Sequence, residues 1–345
     1  MVPRCSIPLV PAKVRPLNPS SDEQPSGLQR WADELPLQLT IFGAWMMGFG
    51  AAALFEYAPN TSLWFPPAGV TFAAVLVIGL RALPPLWLGC LVVTLLADQA
   101  APRGLGTIDV ILAGAAFALS HTLAYAAIAV MLRRRGAESL RHQPVANVLW
   151  FIVAGLVATA ATAGLGALSL AWSGMSDWSS LQPLIILRWI GDFAGLITVA
   201  PLLAALLARW ARQDGLYLPS LLPQGREQWL DAVLQALPKL AILATLTLIS
   251  VLAMPRIGAP VGPLLPWLVC LPALLWIAWT EHEATALLTV TSFSVLVAGI
   301  VGLAGLADQA WHLQALVITA AVISYLVAAI RFNHCQIAST HARPR

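Results

Sequence analysis

The chain has 345 residues, 59% of them hydrophobic and 10% charged, with a mean hydropathy of +0.79. Soluble domains run at about 45–50% apolar and about 25% charged, so this composition excludes an ordinary water-soluble globule and predicts an all-α, polytopic transmembrane helical bundle. A net charge of +3, its basic residues dispersed rather than clustered, argues against nucleic acid and leaves the lipid bilayer as the first partner.

Residues 1–36 are rich in Pro and Ser and lack the short apolar core of a cleavable signal peptide, so they read as a cytoplasmic N-terminal tail. A helix needs roughly 20 apolar residues to cross about 30 Å of hydrocarbon. Ten such runs follow, at 37–55, 66–80, 84–97, 108–132, 145–171, 182–208, 233–253, 264–280, 284–304 and 311–331. The second and third are short, and as a shallow hairpin they would leave eight crossings in place of ten. Lys and Arg are retained on the cytoplasmic side during insertion. With the N-terminus inside, Arg81, Arg133, Arg134, Arg135, Arg141, Arg209, Arg212, Arg226, Lys239 and Arg331 fall on that side and only Arg103 and Arg256 on the other. Both even counts keep that pattern and place the C-terminus inside; nine crossings break it. The connection 209–232 mixes Arg209, Trp210, Arg212, Tyr217 and Trp229, as expected of a strip at headgroup level, and separates six segments from four. The membrane unit is expected to span 37–331, followed by a cytoplasmic tail, 332–345, too short for a folded domain.

Polar groups inside spans are informative because a charge near the bilayer centre costs at least about 2.5–3.5 kcal/mol. In the fourth segment His121 lies beside Ser120 and Thr122, with Tyr125 one turn later. This face suits an interhelical hydrogen-bond cluster, and the imidazole is either a satisfied packing residue or a ligand contact. The fifth segment is crowded with small residues, and Ala160 to Gly164 and Ala163 to Ala167 have the spacing of close helix packing. In the sixth, Arg188 and Asp192 share a helical face as a potential ion pair, with Trp189 between them. The pair either neutralises itself and fixes packing or forms part of a ligand or signal site. Glu281, His282 and Glu283 read as a solvated turn between the eighth and ninth segments. There is no phosphate-binding loop or nucleophile elbow, and Cys5, Cys90, Cys270 and Cys335 lack metal spacing. No catalytic residue, cofactor or metal is therefore expected.

Two stretches stand out as joint patterns. The first runs Leu63, Trp64, Phe65, Pro66, Pro67, Ala68, Gly69, then apolar residues to Gly79, Arg81, Pro84, Pro85 and Gly89. The second is Trp189, Gly191, Asp192, Gly195 and Pro201, and a looser third runs from Pro272 through Trp276 and Ala278. Together they resemble the bacterial membrane-associated sensor 1 domain family, over about residues 37–331. Its pattern is a Trp-Pro-Pro-Ala/Ser-Gly helix start with a Gly-x-Arg turn, then a Trp-x-Gly-Asp-x-x-Gly helix. This chain departs from it at His121, where the family has Asn, and at Trp279, Thr280, Glu281 and His282, which replace an Arg-Phe-Gly type turn.

The resemblance implies a multi-pass protein of the bacterial inner membrane and a sensory domain that feeds a histidine kinase or a diguanylate cyclase. That means two-component or cyclic-di-GMP signalling, with the chain acting through a partner in trans or being a stand-alone or truncated input unit. The expected function is binding of a small molecule or membrane partner between the helices, with Arg188, Asp192, Trp189 and His121 as the polar site. The packing change would pass to the cytoplasm through the last span. The rival class is a transporter or carrier subunit with a midplane site, its helices broken near Pro66 and Pro183. A structural domain without ligand is the third.

Overall fold

A computed structural model describes residues 27–54, 56–58, 61–100, 104, 106–134, 143–211, 226–258, 261–281, 283–303 and 310–341. Most of the N-terminal tail, residues 212–225 of the interfacial strip, Arg103, His282 and the end of the C-terminal tail lie outside them. Among the described residues ten α-helices follow in order: α1 (Gly27–Leu54), α2 (Pro66–Ile78), α3 (Leu83–Ala100), α4 (Thr107–Arg134), α5 (Pro144–Trp172), α6 (Leu181–Trp210), α7 (Arg226–Ile257), α8 (Leu265–Thr280), α9 (Glu283–Leu303) and α10 (Ala310–His341). A short antiparallel ribbon, β1 (Glu56–Ala58) with β2 (Thr61–Ser62), joins α1 to α2.

Proline sets several helix starts. Pro66 and Pro67, Pro144 and Pro266 occupy first-turn positions, where a missing N–H costs nothing and the fixed φ suits the helix. Between α2 and α3 the chain reverses through Gly79, whose φ of +71° is closed to residues with a side chain, and a single 3-10 turn, Gly79–Ala82.

Among the described residues, nine helical runs are long and apolar enough to cross a membrane, counting 66–100 as one run of 35 residues. That run is two legs. Arg81 at its bend reaches Glu34 at the start of α1 (Nη1 to Oε1, 2.9 Å), and Arg133 at the end of α4 donates to Val77 O (2.9 Å). The bend therefore lies level with those ends while α2 and α3 both pack along α1. The basic residues gather at this end of the bundle: Lys239 pairs with Glu281 at 2.8 Å, and Ala205, Ala284 and Trp229 pack at the same level where α6 finishes.

α2 is the central helix of the first six. It has no polar face, and all of its residues but Leu76 and Ile78 are buried, as for a helix surrounded on every side. Around it Trp45, Phe72, Leu86, Phe117, Tyr125, Leu196 and Ala204 form one core. α7–α10 build a second from Leu243, Val251, Leu274, Phe293, Leu313 and Leu316, and Phe193, Ile197, Val290 and Ala321 close the seam. The outer surface stays apolar, with Met47 73%, Ile108 74% and Leu268 67% exposed, which only a lipid environment tolerates on this scale.

Candidate functional site

α2 has 13 residues, about 20 Å of helix, too short to cross about 30 Å of hydrocarbon by itself, and non-helical backbone at residues 62–65 leads into it. Inside hydrocarbon such backbone must be satisfied by the protein itself. Phe65 N–H donates to Gly191 O of α6 (3.1 Å), Gln314 Nε2 of α10 donates to Leu63 O, and the Ser62 hydroxyl donates to Trp64 O (2.8 Å). The indole N–H of Trp64 donates to Thr198 Oγ1 (3.1 Å). Two of the N–H groups that a helix start normally strands do not exist here, because Pro66 and Pro67 lack them.

The glycines of α6 make room for this backbone. A Cβ on Gly191 would run into Ser62 O and one on Gly195 into Phe65 O, while a Cβ on Gly69 would sit 2.7 Å from Gly195 O. The two sequence patterns are thus the two sides of one contact. Gly89 acts similarly for Trp45: a Cβ there would lie 2.7 Å from its ring. Trp45 can then donate to Thr71 Oγ1 at 3.2 Å.

Below this contact lies a buried polar cluster. Thr71 Oγ1 and His121 Nε2 are 3.0 Å apart. The imidazole is fully buried among Trp45, Phe65, Phe117 and Tyr125, at ring separations of 6.0, 5.9, 5.6 and 5.3 Å. Tyr125 OH donates to Asp192 Oδ2 at 3.1 Å. The Arg188 guanidinium lies over the Phe117 ring, 5.7 Å from its centroid, and against α5, where a Cβ on Gly166 would meet Nη2 at 3.1 Å.

The expected Arg188 to Asp192 ion pair is not formed. Among the described residues, pairs within 4.0 Å are Glu34 with Arg81 and Lys239 with Glu281. Spacing of four puts both residues on one face, but Asp192 is taken by the Tyr125 hydroxyl of α4 while Arg188 reaches toward Phe117 and α5. Trp189 leaves the cluster altogether: it is 38% exposed, and its indole N–H donates to Leu156 O at 3.2 Å. Ser120 and Thr122 fold back onto carbonyls of their own helix, Phe117 O and Ala118 O, rather than joining His121. Pro201 lies within α6, which runs unbroken to Trp210, and beside it Thr291 of α9 donates to Thr198 O (2.7 Å). Of the small-residue pairs, Ala163 and Ala167 are buried, whereas Gly164 faces open space.

The turn after α8 differs from a solvated connection. The Glu281 carboxylate meets Lys239, and Arg331 of α10 donates to the Glu281 carbonyl. No group of three or more His, Cys, Asp or Glu among the described residues is placed to hold a metal.

The MASE1 family profile matches residues 34–333, which covers both glycine and proline patterns together with the cluster they enclose. The chain belongs to the membrane-associated sensor 1 (MASE1) family. No curated protein and no solved structure matches it. Trp64, Pro66, Pro67 and Gly69 on one side and Gly191 and Gly195 on the other frame the lead-in to α2, and Arg81 pairs with Glu34 just beyond its far end. Thr71, Trp45, Phe117 and Gln314 escaped the sequence reading, and Gly166 entered it only as one of the small residues of the fifth segment. Only Gln314, an amide within an apolar run, carried a signal that could have flagged it.

Proposed function

We propose that this MASE1 chain is a membrane-embedded sensory input module of the bacterial inner membrane, oriented by its basic residues with both ends in the cytoplasm. A small molecule or membrane partner binds at the cluster of Asp192, Tyr125, His121 and Arg188. The single observation that carries the reading is the hydrogen bonding of residues 62–65, held by α6 at Phe65 N–H and by α10 at Leu63 O. Phe65 also touches His121, so a ligand that shifts the imidazole or the Tyr125 to Asp192 bond moves a segment tied to the last helix. Such a ligand must bind the two packings with different affinity. The change then reaches a histidine kinase or diguanylate cyclase module at the cytoplasmic side.

The test is kinase phosphorylation or cyclic-di-GMP formation in cells that express the chain with such an enzyme. Asp192→Ala and Tyr125→Phe should insert normally and shift that output. If both insert and leave every output unchanged, the site assignment is wrong. The short α2 with its non-helical lead-in also favours a second reading, a carrier whose broken helix borders a midplane site. Uptake by proteoliposomes containing this chain alone would support the carrier and displace the sensor.

A further inference from the structure

We propose that Arg188 anchors an oxyanion site, taking a carboxylate or phosphate group between α4, α5 and α6; this rests on the sensory reading above and names the chemistry of its ligand. Arg188 is 8% exposed and belongs to a helix long and apolar enough to span a membrane. Its Nε is buried without a hydrogen-bond acceptor, and no carboxylate lies within 4.0 Å of it. Asp192, one turn along, balances charge at a distance, but one of its oxygens already accepts from Tyr125 and neither completes the donor set of Arg188.

The surroundings hold the group in place without satisfying it. Phe117 covers one side of the guanidinium, and Gly166, lacking a Cβ, lets Nη2 lie against α5. A fixed planar fork with unmet donors matches an oxyanion, which accepts two parallel N–H groups at once. A neutral acceptor would take the donors but leave the charge uncompensated, and a snorkelling arginine would carry its head into headgroup water rather than pack it beneath two helices. The same chemistry comes from two sources, a small soluble anion or the headgroup of an anionic phospholipid.

The protein is placed in phosphatidylcholine nanodiscs, and thermal unfolding is followed by tryptophan fluorescence during titration with inorganic phosphate or succinate at constant ionic strength. A parallel series uses discs containing phosphatidylglycerol. A rise in Tm of a few degrees with phosphate or succinate, lost in Arg188→Gln, supports a soluble ligand. A rise confined to phosphatidylglycerol discs and lost in the same variant supports a lipid headgroup. No rise in either series, or a rise that Arg188→Gln retains, overturns the proposal. Should Arg188→Gln fail to fold, Gly166→Ala sets a methyl against Nη2 in an otherwise intact bundle. It should raise the half-effect concentration at least tenfold, and an unchanged value overturns the site. Anion binding without any change in kinase or cyclase output would sink the sensory reading and leave the site standing. Output that depends on Asp192 with no anion effect would do the reverse.

Discussion

The first six helices and the last four hold their interiors together differently. In α1–α6 several deep side chains bond between helices, Trp45 to Thr71 and on to His121, Trp87 to Thr122, and Tyr125 to Asp192, beside hydroxyls such as Ser120, Thr159 and Thr198 that donate within their own helix. In α7–α10 the buried hydroxyls of Thr247, Ser250 and Thr289 donate to carbonyls of their own helix, and Thr247 adds a contact to Cys270. The charged contacts there sit at the bundle end, where Lys239, Glu281 and Arg331 meet. Interhelical hydrogen bonds in membranes average only about 0.6 kcal/mol. Their effect is therefore geometric: they fix which residues face each other, so the first half is specified in detail. The second half, packed largely by apolar contact, can shift with fewer bonds to break. A recognition unit and a transmitting unit would divide the work in this way.

The sharpest way to break the contrast is to fill the groove on α6. Gly195→Val places side-chain atoms where Phe65 O lies, so it should cost several kcal/mol and abolish monodisperse protein in detergent, whereas Gly164→Val, in open space, should leave yield and Tm unchanged. Next is Tyr125→Phe, which removes the donor to a carboxylate that is 2% exposed and should cost about 1–3 kcal/mol, read as a lower Tm of the intact bundle. In the second half, Lys239→Met removes a partly buried pair worth about 1 kcal/mol. Hydrogen exchange should quicken around 279–285 and stay unchanged in α2 and α4; equal quickening in α4 would erase the distinction between the halves. The smallest effect belongs to Arg81→Ala: its pair with Glu34 is exposed, so the loss should stay below about 1 kcal/mol and shrink further in high salt.

Hydropathy made the ten helices legible to within a few residues at most ends, because burying a backbone in lipid demands long apolar helices and leaves little freedom. The bend between α2 and α3 was legible from Gly79 and Arg81. Around the site, legibility stopped at local spacing. Arg188 and Asp192 do share a face, but the partner each one takes lies on another helix, and a spacing of four cannot show that Tyr125 claims the carboxylate. Gly191 and Gly195 were visible as a pattern, yet their reason is a backbone segment contributed by residues 62–65. Thr71 carried no signal at all, and Gly166 was legible only as one small residue of a crowded helix, since the role of each comes from what is brought against it.

The hydrogen bond from Gln314 to Leu63 O joins residues 251 positions apart in the chain. At about 5–20 residues per second, synthesis takes roughly 10–50 s to travel that distance. During this interval the carbonyl of Leu63 lacks its final donor, and until α6 emerges Phe65 N–H lacks its acceptor as well. Residues 62–65 thus complete their hydrogen bonding only once α6 and α10 have been made, so the lead-in to the central helix is closed by a helix residue that follows it by 251 positions.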